Sequence, residues 1–301
     1  MKTVEAFKAD IFLQPKFLKE FSGVAQLSDK ILERCVFCGT GDSLSAAMLA
    51  EAFSEYRVRA LDPLDVIKNK KLLRGKKAYF VSISGNTISN IKAARLAQNA
   101  TAITKNQSSR LAKACDDVIV LPYCDSGILT SGSIGFLASA LMCISLVKRF
   151  KIKNPQKLFK LAQVVAKKIT PKNRVFILGN QYTYPIALYG AAKMYEVLGH
   201  DAHYERIEQF SHMGMFCARR GDTVILLEQK NKHATRLARH LEKLGLNVYH
   251  PSISANMMDQ VVFYTFVLQL VTLNAATKLR LSDCHFVTNK KIRNASSAMI
   301  Y

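Results

Sequence analysis

Short apolar runs alternate along this chain with longer stretches in which apolar residues recur three and four positions apart. Runs of the first kind fall at 34–38, 58–61, 78–82, 101–104 and 118–121, and each reads as a strand. Between them, 43–56, 87–99 and 108–114 carry the helical period. Strands that are apolar throughout and separated by helices predict a parallel sheet covered on both faces. The pattern then restarts. "NRVFILGN" (173–180) repeats the form of "ERCVFCGT" (33–40), a strand ending in glycine and followed by an Ala-rich helix. "AHYERI", "DTVILLEQ" and "LNVYHPS" read as further strands, and a long helix at 257–281 precedes an irregular tail. The expectation is an α/β chain of two tandem, doubly wound, flavodoxin-like parallel-sheet domains. An N-terminal helical segment (1–24) would lead into a first domain (25–150) and a second (151–301), joined through the charged stretch "KRFKIKNPQK".

Two segments could suggest a membrane. Positions 127–147 and 261–277 carry no charge. The first, however, begins "GILTSGSIG", and the second contains Gln269, Thr272 and Asn274. Both read as buried helices of a protein that does not enter a membrane. "MKTVEAFKAD" has no apolar core of a signal peptide, and seven scattered cysteines lack the density of a disulfide scaffold. A cytoplasmic location follows as the expectation. Cys35 and Cys38 form a C-x-x-C on a strand, where side chains three apart point to opposite faces; no metal site is expected there.

The formal net charge is +21, from 43 Lys and Arg against 22 acids. A nucleic-acid partner is disfavoured, because the excess is scattered and aromatics do not interleave with the basic cluster at 68–77. A basic surface that attracts small anions fits better.

Ligands of open parallel sheets lie beyond the carboxyl ends of the strands. Two such ends carry suitable chemistry here: "GTGDS" (39–43) and "SISGNT" (82–87). Gly41 and Gly85 would let the backbone approach an anion. Ser43, Ser82, Ser84, Asn86 and Thr87 would add side-chain donors, and the following helix its N-terminus, making a phosphate cradle. A lone serine or threonine here would be read as a helix cap. Two converging loops favour the cradle. No G-K-[ST] follows, and no G-x-G-x-x-G is present. "GNQYTY" and "LEQKNK", the matching loops of the second half, lack the Ser-x-Ser-Gly pattern.

Tandem units, G-x-G-x-S in the first loop and S-x-S-G-N-T after the third strand resemble the sugar isomerase (SIS) domain family over about residues 25–301. The resemblance is nearest to the archaeal-type bifunctional phosphoglucose/phosphomannose isomerases and to the isomerase half of glucosamine-6-phosphate synthase. It implies a phosphosugar held by Ser43, Ser82, Ser84 and Thr87, with Ser131 and Lys291 as further substrate contacts. It also implies a catalytic glutamate on the first helix of the second unit and a histidine sixteen residues later, a spacing met by Glu196 and His212. Taken alone, Glu196 would be a helix-surface carboxylate beside Lys193, and His212 a loop histidine. His200, His203 and Glu208 remain alternatives. A carboxylate and a histidine suit aldose–ketose isomerisation through an enediol, which needs no cofactor.

Two departures stand out. "CDSGILTSGSIG" has no arginine, and the tail "NKKIRNASSAMIY" puts Ser296 where the synthase family has a lysine, with Lys290 and Lys291 upstream. No glutaminase segment precedes the first unit, so an ammonia-transferring synthase is not expected. The expected activity is isomerisation of a hexose or amino-hexose phosphate by a homodimer. The competing readings are a sugar-phosphate sensor without turnover and a synthase- or deaminase-like enzyme.

Overall fold

The computed structural model describes residues 1–301. In chain order its first elements are α1 (Thr3–Glu20), α2 (Asp29–Leu32), β1 (Cys35–Cys38), α3 (Asp42–Phe53), β2 (Arg59–Leu61) and α4 (Pro63–Lys68). Then come β3 (Lys77–Val81), α5 (Ile88–Ala94), β4 (Ala100–Thr104), β5 (Asp117–Val120) and α6 (Ile134–Val147). The remainder comprises α7 (Pro155–Ala166), β6 (Val175–Gly179), α8 (Thr183–Lys193), β7 (Ala202–Glu205), α9 (Ile207–His212) and β8 (Thr223–Leu227). It closes with α10 (Lys232–Lys243), β9 (Asn247–Tyr249), α11 (Met257–Lys278), α12 (His285–Thr288) and α13 (Lys290–Ile300).

One compact unit, made of Glu20–Asp125, Ile134–Phe150 and Lys290–Tyr301, holds a five-stranded parallel sheet of order β2-β1-β3-β4-β5. Alternation along the strands sorts its faces. Val36, Cys38, Ala78 and Phe80 turn toward the helices α4 and α5 and pack with Val66 and Ile91. Phe37 and Tyr79, paired across β1 and β3, turn the other way and stack at 4.9 Å. Every residue of α6 is buried, and the helix packs against α3. Burial pushes the Cys35 thiol up to about 11 and raises that of Cys38 as well, which makes them inert core residues.

The second unit contains Met1–Lys19, Ser126–Ser133 and Lys151–Asn289, around a four-stranded parallel sheet of order β7-β6-β8-β9. On one face Phe176, Leu178, Val224 and Leu226 pack with Phe210 and Leu241 of α9 and α10. On the other lie α8, α7 and α11. Phe159 of α7 stands edge-on to Phe266 of α11 at 5.0 Å and to Phe12 of α1 at 5.2 Å, which ties the N-terminal helix into this unit. Helix α11 has the length and hydropathy of a membrane span, but 83% of its apolar window is buried inside the protein. A helix apolar on all sides is either a core element or a membrane span, and the burial of both uncharged helices inside the protein accounts for them without a bilayer.

The two sheets share one strand order. β7-β6-β8-β9 repeats β2-β1-β3-β4, and the first sheet adds one strand. Each therefore has a switch point between its first and third strands, where the crossovers diverge and ligands can enter.

Several expectations need correction. The helix expected at 108–114 is only a short 3-10 turn, Ala112–Ala114, because Ser109 Oγ accepts the Ala112 N–H and holds a turn instead. That expected at 87–99 is limited to Ile88–Ala94. The tail is not irregular, since it forms α12 and α13. In the grouping of the chain into compact units, 1–19 and 126–133 go with the second sheet, and the terminal helix with the first.

Candidate active site

Both sheets turn from first strand to first helix over a glycine. A Cβ on Gly39 would lie 2.8 Å from the backbone of Ser43, and one on Gly179 would lie 2.6 Å from that of Thr183. Real Cβ atoms do not approach so closely, so glycine is what lets the first helical turn sit directly on the strand end. In the first unit this places Ser43 in the opening turn of α3, nearly buried, after the positive-φ Gly41.

The loop after β3 follows the same logic. Gly85 has φ +64°, and a Cβ on it would collide with Ser109 Oγ. Its N–H donates to Ser82 Oγ at 3.2 Å, and that oxygen lies 3.3 Å from Thr87 Oγ1. Ser84 is exposed, and its Oγ accepts the Asn86 N–H at 3.3 Å, which leaves the hydroxyl proton to donate. Thr104 Oγ1 donates to the Ile83 carbonyl at 3.1 Å, and the Leu111 N–H to that of Gly85 at 2.8 Å. The loop is braced from behind. Ser82, Gly85 and Thr87 are thus drawn together, while Ser84 borders a cavity of about 700 Å³. Lys105 lines the same cavity, 2.5 Å from Asp125 and with its Nζ 4.7 Å above the Tyr123 ring. Sequence reasoning passed over this lysine, whose signal was its place directly after an apolar strand.

The second unit holds a different constellation. Helix α8 runs into a π-turn, Met194–Leu198, and stops at the left-handed Gly199. Such wide turns re-aim side chains and are frequent at functional sites. Glu196 lies in this turn. Its Oε2 accepts from Ser131 Oγ and from Lys193 Nζ, both at 2.6 Å. Lys193 has no exposed side-chain surface, whereas the Glu196 side chain is 38% exposed. The two therefore form a buried cation joined to an accessible carboxylate, not a solvated surface pair. The ammonium also lies 5.1 Å over the Tyr189 ring. Tyr189 donates its hydroxyl to the Gly132 carbonyl at 2.8 Å and accepts from Gln269, which accepts in turn from Gln14. A chain of buried polar groups fixes the floor beneath Glu196. The lysine was legible only as a break in "YGAAKMY", an otherwise apolar run.

His212 ends α9, 68% exposed at its side chain, and its Nε2 lies 3.1 Å from Glu208 Oε1. Nearby, burial pushes the Glu205 carboxyl up from its ordinary value, while His203 pulls it down. His203 stacks on Phe176 at 5.0 Å, a packing role. Lys291 lies exposed on α13, a helix without buried residues. Among the expected residues the structure thus joins Ser131 to Glu196 and Ser82 to Thr87, while His212 pairs with Glu208.

Comparison with known proteins agrees with this architecture. Glutamine–fructose-6-phosphate aminotransferase (isomerizing) of Sulfurisphaera tokodaii is 22% identical over 305 residues, an alignment covering 93% of this chain and 50% of that protein. The chain thus spans about half the length of that curated relative. Glucosamine-6-phosphate deaminase of Thermotoga maritima superposes with a TM-score of 0.73 at 20% identity, over 94% of this chain and 96% of its own. Tagatose-6-phosphate ketose/aldose isomerase of Escherichia coli superposes at 0.68 and 15% identity, over 93% and 90%. At these identities the structures establish a shared α/β fold. Residues 168–254 match the SIS domain family. That stretch includes Glu196, Lys193 and His212, but not the serine loops of the first sheet. The family match thus falls on the segment that carries the second sheet and the buried Lys193–Glu196 pair.

Proposed function

We propose that the protein isomerises a hexose or amino-hexose phosphate between aldose and ketose by proton transfer through an enediol. The observation that carries this reading is the carboxylate of Glu196, held on one oxygen by Ser131 and Lys193 and still open to solvent. With Oε2 fixed by two donors, Oε1 is the oxygen that takes the proton. It removes the proton from carbon 2 of the aldose, and the electron pair moves into a C1–C2 double bond as the C1 carbonyl becomes an enediol oxygen. Return of the proton to carbon 1, with the hydroxyl proton on carbon 2 passing to the oxygen on carbon 1 through solvent, leaves a carbonyl at carbon 2 and gives the ketose. Lys193 offsets the charge that develops beside it. The phosphate belongs with Ser43, Ser82, Ser84 and Thr87, and the repeat of strand order supports reading the first sheet as a second SIS-type unit.

His212 is assigned ring opening, by protonating the ring oxygen. It sits on an exposed segment with Met213, 61% exposed, and Phe216, 86% exposed. Apolar side chains this bare suit burial against another molecule, and a two-fold homodimer is the commonest closed assembly. We assign His212 to the partner's site. Mixing inactive Glu196→Gln and His212→Ala proteins under proven subunit exchange should restore part of the activity, and no recovery would return His212 to its own chain's site.

The reaction itself is tested with fructose 6-phosphate in deuterium oxide, reading label at carbons 1 and 2 by NMR. Label that appears without ammonia and vanishes in Glu196→Gln supports the isomerase. A second reading, binding without turnover, draws on the exposed position of Lys291 and the absence of arginine from 124–135. Binding with no label in the wild type would select it.

A further inference from the structure

Far along the chain from the serine loops, and wholly within the second-sheet unit, lies a cavity of about 630 Å³. Its walls come from the end of α7, the loop that leads into β6, the residues just beyond the π-turn, and the last turn of α11. These are the amino ends of the strands. Ligands of the fold's main site lie at the opposite, carboxyl ends, so this cavity is separate from the switch point of its own sheet.

Its chemistry is one-sided. Lys167, Lys172, Lys278 and His200 line it, and no carboxylate does. Lysines in the last turns of helices often need no ligand, because carbonyl ends of helices attract cations. That accounts for Lys167 and Lys278, which lie at the ends of α7 and α11. It does not account for Lys172 or His200, which belong to no helix. His200 lines the wall together with Lys172.

The wall is built in advance. Lys172 N–H donates to Thr223 Oγ1 at 2.9 Å, and that hydroxyl donates back to the Lys172 carbonyl at 3.0 Å, which pins the loop to the start of β8. Asn173 adopts φ +48°, the left-handed turn that asparagine tolerates best among side-chain-bearing residues. The remaining lining includes Ile169, Pro171, Leu198 and Leu279. Cationic groups beside an apolar surface suit an anionic head on a flat or apolar body, and the volume lies within the range of small-ligand pockets.

We propose that this cavity is a second anion-binding site that takes an organic phosphate with a ring body, a nucleoside monophosphate being its simplest form. Leu198 and His200 of its wall flank Gly199, which ends the turn that holds Glu196.

The test uses isothermal titration of the full chain with adenosine 5′-monophosphate, and variants of the cavity and of the serine loops separate the two sites. Saturable binding is expected, weakened at least tenfold by Lys172→Glu and also by the cavity-filling Ala275→Phe. Ser84→Ala should leave it unchanged. Adenosine and inorganic phosphate should each bind more weakly than the intact nucleotide. Near-ultraviolet and far-ultraviolet circular dichroism verifies that each variant is folded, and Lys172→Gln replaces any that is not. Absence of binding would overturn the site, as would binding lost in Ser84→Ala and retained in Lys172→Glu. Equal binding of inorganic phosphate would overturn the ring-bearing ligand class.

Discussion

The corners after the third strands, β3 into α5 and β8 into α10, occupy equivalent places in the two sheets and use their helix starts differently. At the second, Asn231 caps α10, its side chain accepting the Ala234 N–H at 2.8 Å. At the first, Thr87 occupies the same capping position but makes no side-chain cap; its hydroxyl lies against Ser82 instead. The helix that follows is shorter, Ile88–Ala94 against Lys232–Lys243. Elsewhere Asp62, Asn154 and Asn256 cap their helices in the ordinary way. A hydroxyl withheld from capping contributes nothing to the helix and remains available to a ligand. Places where local rules are broken mark function more reliably than places where they are kept.

The largest expected effect lies in the second unit. Glu196→Gln should lower isomerisation and deuterium exchange by about 10²–10⁴, the range for a positioned proton-transfer group, while phosphate affinity holds. Exchange at the wild-type rate would move the base to Glu208. Next comes Gly85→Ala, which forces a Cβ onto a left-handed backbone and into Ser109. It should cost about 1–3 kcal/mol of stability, read by urea titration, and abolish tight phosphosugar binding. Ser84→Ala should spare the fold and weaken sugar-phosphate binding by about 1–3 kcal/mol; calorimetry showing equal affinity in the folded variant would misplace the cradle. The smallest effect sharpens the comparison itself. Asn231→Ala should lose about 1 kcal/mol of stability, whereas Thr87→Ala should lose measurably less and show its cost in ligand affinity. Equal losses in thermal unfolding would mean that Thr87 is an ordinary cap after all.

Much of this was legible in residue order. Apolar runs such as "AYFV" and "VFIL" set the strands, and "SISGNT" marked a corner unlike its counterpart "LEQKNK". Glu196 could be singled out only through a family resemblance, because a glutamate three residues from a lysine on a helix usually means a solvated pair. The end of α5 and the fate of 108–114 were misread, since local serine hydrogen bonds compete with helix and leave no trace in periodicity.

Periodicity and glycine placement, read from the sequence, determined that this is a parallel α/β protein with a repeated strand–helix pattern, because burial on both sheet faces and close strand–helix corners restrict which residues can stand there. Tertiary structure alone decided that Lys193 is buried under Glu196 and that Ser131 reaches the same carboxylate across 65 positions of chain. Those contacts join residues distant in sequence, or depend on a single turn widening from α to π, and no local pattern of residues encodes either.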